Sequence, residues 1–139
     1  MPAEVRAEIV RGIVAYPQLQ AVINATWIRI EPPVADIEAL RRLELTRMAL
    51  AGSIQNPRKN LGEAAVIELS QALRADSVID DFDAMILARQ RGLRVVTTGN
   101  LLSECVALGE LSCQEALALY ESMRQVTSLP PLTRRDLCA

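Results

Sequence analysis

Short apolar segments alternate with amphipathic ones through the second half of this chain, and that alternation limits the folds open to it more than any other feature. Ser77-Val78-Ile79 and Leu93-Arg94-Val95-Val96-Thr97 read as strands, and Phe82 to Arg91 between them reads as a helix that stops at Gly92. Two strands joined through a helix imply parallel pairing, with helices covering the sheet faces. Upstream, Trp27-Ile28-Arg29-Ile30 alternates with period two and predicts a further strand, ended by Pro32-Pro33.

The other segments predict helices. Pro2, then Val5 and Ile9 four apart, then Gly12 mark a short opening helix, and Ala21 to Ala25 a second helical turn. Val34 to Ala51 reads as a helix with Ile37, Leu40, Leu43 (or Glu44) and Met48 along one side, followed by a loop from Gly52 to Lys59. Asn60-x-x-Glu63 has the pattern of a capping box, and Leu61, Ala65, Leu69 and Leu73 then recur at helical spacing. Gly99 precedes a helix through Leu108, and Ser112-x-x-Glu115 is a second capping box. Residues 126 to 139, with Pro130-Pro131 and Arg134-Arg135, read as a loose tail. The reading is thus one α/β domain over residues 1–125, its short parallel sheet flanked by helices, and a tail over 126–139.

Composition restricts the chemistry. Hydrophobic residues make up 50% of the 139, enough for a core, but aromatics only 3%, so that core must come from Leu, Ile, Val and Ala. The sequence holds no histidine, which removes serine–histidine and cysteine–histidine catalysis and the common zinc sites. Acid–base or metal chemistry must therefore rest on carboxylates. A net charge of −2 argues against a protein that coats nucleic acid through a strong positive field, but not against a nuclease with an acidic metal site. Cys105, Cys113 and Cys138 are an odd set and are expected to be reduced thiols rather than a disulfide framework. No apolar run approaches the roughly 18 residues needed to cross a membrane. The start carries no apolar stretch of the signal-peptide kind. The expectation is a cytoplasmic protein.

In an open parallel sheet, ligands bind beyond the carboxyl ends of the strands. Asp80 and Asp81 directly follow the strand at Ser77, with Asp83 close behind. Glu63 opens the helix leading into that strand, and Glu8 sits within the opening helix. Each has a plainer reading: Asp80 or Asp81 as a cap for the helix at Phe82, Glu63 as the partner of Asn60, and Glu8 as a solvated helix residue.

Several of these residues fit one known arrangement. Leu61-Gly62-Glu63-Ala64-Ala65, then Ser77-Val78-Ile79-Asp80-Asp81, then Gly92-Leu93-Arg94-Val95-Val96-Thr97-Thr98-Gly99-Asn100-Leu101-Leu102 resemble the C-terminal half of a PIN domain, in its VapC-like branch. Pro2-Ala3-Glu4-Val5-Arg6-Ala7-Glu8 is similar to the family's Pro-x-x-Val-x-x-Glu helix. The resemblance implies a PIN-like three-layer fold and a metal-dependent endoribonuclease of toxin–antitoxin type. Magnesium or manganese would be held by Glu8, Glu63 and Asp81 as catalytic acids, with Asp80 and Asp83 as further ligands. Its partners would be RNA, a cognate antitoxin protein and a second copy in a homodimer. The family's first acid ends a strand that precedes the Pro-x-x-Val-x-x-Glu helix, and this sequence begins at that helix. The expectation is therefore an N-terminally truncated domain that is a poor ribonuclease as it stands. The alternative is a non-catalytic PIN-like module for partner binding or oligomerisation. A third reading, an unrelated small-molecule binder, is weakened by the lack of a Gly-rich phosphate loop, since Gly99 stands alone.

Overall fold

The computed structural model describes residues 1–32, 35–51, 55–127 and 129–138. The expected start of the third helix at Val34 and the first part of the loop from Gly52 lie outside the described residues. The described elements are α1 (Ala3–Gly12), α2 (Gln20–Asn24), α3 (Ile37–Ala49), α4 (Leu61–Leu73), β1 (Ser77–Val78), α5 (Phe82–Gln90), β2 (Val95–Val96), α6 (Thr98–Ala107), α7 (Cys113–Arg124) and α8 (Arg134–Leu137).

The expected α/β class holds, with a short sheet flanked by helices. The Ser77 amide donates to the Arg94 carbonyl and the Ile79 amide to the Val96 carbonyl, both at 3.0 Å. Partner numbers rise together, so β1 and β2 run parallel, as a helical crossover requires. The strand expected at Trp27 to Ile30 does not form. Those residues turn, Trp27 stays 83% exposed, and Glu31 makes a lone parallel bridge to Pro2. Alternation alone cannot hold a strand whose side chains find no core and whose backbone finds one partner residue.

The chain divides into two compact units, Met1–Ser77 with Asp81–Arg94, and Val78–Asp80 with Val95–Ala139. In the first unit α1 and α3 both pack on α4, and α5 also touches α4. Its buried residues include Leu43, Leu50, Ala64, Ala65, Ile67, Ala84 and Ala88. Fully buried alanines on α4 and α5 suit a core built without aromatic bulk, because small side chains let helix backbones approach. The buried face of α3 keeps the expected apolar stripe only at Leu43: Ile37 is 81% exposed, while Thr46 and Arg47 are buried beside Leu43. Arg47 is the largest fully buried side chain among the described residues, paired with Glu44 at 2.6 Å and donating to the Asn56 carbonyl at 3.2 Å. Those bonds satisfy a cation that would otherwise be too costly to bury.

The second unit packs α6, α7 and α8 around Leu102, Ala116, Tyr120 and Leu137. Residues 129–138, read from sequence as part of a loose tail, are docked here: Leu137 is 1% exposed and Cys138 packs against the cluster. The cysteine expectation is corrected as well. Cys113 and Cys138 form a disulfide, and Cys105 is free. Counting thiols cannot reveal a pairing across 25 residues that depends on α8 folding back to the start of α7. Tyr120 donates its hydroxyl to the Pro130 carbonyl at 2.9 Å. Tyr120→Phe is expected to weaken this unit by about 1 kcal/mol, the usual net worth of one such bond, read as a lower urea midpoint.

Candidate functional site

The two helices that meet in the first unit bring two of the expected acids together. The first turn of α4 carries Gly62 and Glu63, and α1 crosses it with Glu8. A Cβ at Gly62 would lie 2.7 Å from Glu8 Oε2, so the absence of a side chain there lets the Glu8 carboxylate rest on the α4 backbone. The Gly62 amide donates to that carboxylate. Although the Glu8 residue as a whole is exposed, its carboxyl end is partly dehydrated by this contact. Dehydration first, and the nearby negative charge of Glu63 second, push the Glu8 carboxyl above its ordinary value. Arg11 and the Gly62 amide oppose the rise without cancelling it.

Glu63 is not the capping residue its spacing suggests. Asn60 adopts a left-handed backbone, makes no side-chain cap bond, and instead donates its amide to the Leu50 carbonyl. Glu63 is thereby left without a capping role, at the side of Glu8. A pair of like charges held together in this way is what a bound cation or a proton relieves.

A folded-state value above the unfolded one means that the folded chain keeps the Glu8 proton at pH values where the unfolded chain has lost it. The associated stability is complete below the ordinary glutamate value of 4.5 and is lost as the pH rises through the raised folded value. Glu8→Gln is therefore expected to melt above the parent at neutral pH and level with it in acid. Melting temperatures of both chains across that range check this, and a parent that matches Glu8→Gln at neutral pH would contradict it.

Asp81 is the N-cap of α5, its Oδ1 accepting from the Ala84 amide at 2.9 Å, so its plainer reading holds at least in part. Asp83 follows in the first turn of α5 and borders a hollow of about 210 Å³ with Leu50, Ile86 and Gln90. A hollow of about 360 Å³ in the same unit is bounded by Pro2, Glu31, Arg42, Leu43 and Glu68, and none of the five expected acids lines it. Among the described residues, no group of three or more His, Cys, Asp or Glu side chains is arranged to hold a metal ion.

Asp80 belongs to the second unit. It lies just past β1, and its two oxygens accept from the Thr98 amide at 2.9 Å and the Thr98 hydroxyl at 2.5 Å. The first turn of α6 is itself closed by a reciprocal Thr97–Asn100 capping box. Sequence reasoning gave Thr98 no role, although Thr97-Thr98-Gly99-Asn100 stood at the end of a strand; a hydroxyl residue beside a strand-end aspartate is the signal that would have found it. Tyr120 is buried in the same unit. Burial first, and the charge of Asp80 second, raise its phenol above the ordinary value.

A family model described as PIN domain matches residues 1–128, and the chain belongs to the PIN-domain family. Membership points to nuclease-type function, to dependence on divalent metal and to RNA binding in general terms. No curated protein is significantly similar to the chain. No solved structure is significantly similar to it either. Among the described residues, no helix is long and apolar enough to cross a membrane.

Proposed function

We propose that this chain is a metal-dependent endoribonuclease of the toxin–antitoxin type, in the VapC-like branch, acting in the cytoplasm. The observation that carries the reading is the Glu8–Glu63 pair, two acids forced together with the Glu8 carboxyl pushed up. The donor set fits the ion: oxygen-only ligands suit hard cations such as magnesium or manganese. Glu8, Glu63 and Asp81 are the catalytic acids in this reading, with Asp83 as a further ligand; Asp80, in the second unit, is a further acid of the reading. A bound ion would activate water and stabilise charge on the RNA phosphodiester. Gly62 lets Glu8 reach the first turn of α4, and Asp81 is oriented by the α5 amide it caps. A cognate antitoxin protein and a second copy of the chain are the partners that go with this activity.

A second reading, a non-catalytic PIN-like module for partner binding or oligomerisation, is favoured by one observation: the described residues hold no ready cluster of three ligands. Single-stranded RNA incubated with the purified chain in magnesium, in manganese and with a chelator separates the two. Cleavage in either metal and none with chelator supports the nuclease. RNA left intact in every condition, with no melting-temperature rise on adding either metal, supports the module.

A further inference from the structure

The family match ends at residue 128, yet the described chain continues in order through residues 129–138. A four-residue helix cannot sustain itself in water, so α8 must be held from outside. Four attachments do this. Leu137 is buried against Leu102, Ala116 and Tyr120; Tyr120 donates to the Pro130 carbonyl; Arg124 Nε donates to the Leu129 carbonyl at 3.4 Å; and Cys138 is bonded to Cys113.

What this segment covers is specific. Leu132 Cδ1 lies 2.5 Å from where a Cβ on Gly99 would sit, so the segment rests directly on the buried first turn of α6. The residue before Gly99 is Thr98, which holds both oxygens of Asp80. Tyr120, which anchors the segment at Pro130, is also the buried phenol that feels the Asp80 charge. The strap thus rests on the residue next to the one that holds Asp80 and is anchored at Tyr120, all within the second unit.

We propose that residues 129–138 are a redox-latched strap over the Asp80 corner, closed while Cys113 and Cys138 are joined and released when a dithiol reductant separates them. In the opening step the dithiol supplies two electrons and two protons and becomes a cyclic disulfide, leaving two protein thiols. In the closing step a disulfide oxidant such as oxidised glutathione takes the two electrons and leaves as two thiols. Cys105, on α6, takes no part. The inference rests on the proposed function only for the meaning of Asp80; the latch itself is independent of any activity.

The test uses the full chain, oxidised with glutathione disulfide or reduced with dithiothreitol, and reads hydrogen exchange and carbodiimide labelling of Asp80. On reduction, the Cys138 amide, bonded to the Arg134 carbonyl, and the Asp136 amide, bonded to the Thr133 carbonyl, are expected to exchange about tenfold faster or more. Asp80 labelling should rise, while amides of α4, α6 and α7 keep their protection. Cys138→Ser should behave as the reduced chain under both conditions, and Cys105→Ser as the parent. Leu132→Ala, which leaves the disulfide in place, should raise Asp80 labelling without reduction, and it serves if Cys138→Ser does not fold. Three free thiols after glutathione treatment would overturn the proposal. So would unchanged exchange on reduction. Loss of protection across α6 and α7 together with the strap would also overturn it, because the disulfide would then be a staple for the whole unit.

Discussion

Glu63→Gln and Asp81→Asn are each expected to lower metal-dependent RNA cleavage by about a hundredfold or more. A divalent ion supplies several kcal/mol of charge stabilisation, and each loss of about 1.4 kcal/mol is tenfold in rate. Both changes remove a negative charge while nearly preserving shape. Asn caps helices as well as Asp does, and its side-chain oxygen can still accept from the Ala84 amide, so α5 should keep its start. Glu63 makes no capping bond whose loss would unwind α4. The urea midpoints should therefore stay near that of the parent chain while cleavage falls. Cleavage of RNA at the parent rate by either variant would remove that residue from the mechanism. A fall in cleavage matched by a fall in midpoint would instead mark it as structural.

Ile67→Ala is expected to cost about 3–4 kcal/mol, near the middle of the range for emptying a fully buried aliphatic site. Ile67 is 0% exposed on α4, the helix on which α1, α3 and α5 all converge. Ala64, one turn earlier on the same side of α4, is also fully buried, and its short side chain cannot swing in to fill the space. The effect should reach the acids as well, since Glu63 stands one helical turn before Ile67 and its position depends on how α4 seats. Urea unfolding measures the first effect, and the melting-temperature rise with magnesium measures the second, which should shrink. A cost below about 1 kcal/mol would mean that the site collapses freely and that α4 is not a close-packed centre.

Local chemistry was legible wherever a residue's partner lies within a few positions in the chain. The Ser112–Glu115 capping box forms as read, Asp81 caps α5 as its plainer reading had it, and β1 and β2 lie within the expected segments. Patterns of equal local quality failed when a distant partner competed. Asn60-x-x-Glu63 has a capping spacing, but the Leu50 carbonyl takes the Asn60 amide. Trp27 to Ile30 alternates like a strand, but the distant backbone partners found among the described residues are the Met1 amine at the Arg29 carbonyl and the isolated bridge at neighbouring Glu31. On α3 the apolar stripe lost to Thr46 and Arg47, because Glu68 accepts from the Thr46 hydroxyl at 2.5 Å and backbone carbonyls receive the guanidinium.

By itself the sequence determined the α/β class, the helix starts set by short-range caps, the absence of histidine chemistry, and the family to which the chain belongs. These follow from residue type and spacing, which are local properties. Tertiary structure alone decided that Glu8 lies on Gly62 beside Glu63, that Thr98 holds Asp80, and that residues 129–138 fold back to join Cys138 to Cys113. The positions joined in this way are about 18 to 55 apart in the chain. Such contacts form only when the apolar faces of whole helices have been buried against one another, and no short window of sequence records which faces those will be.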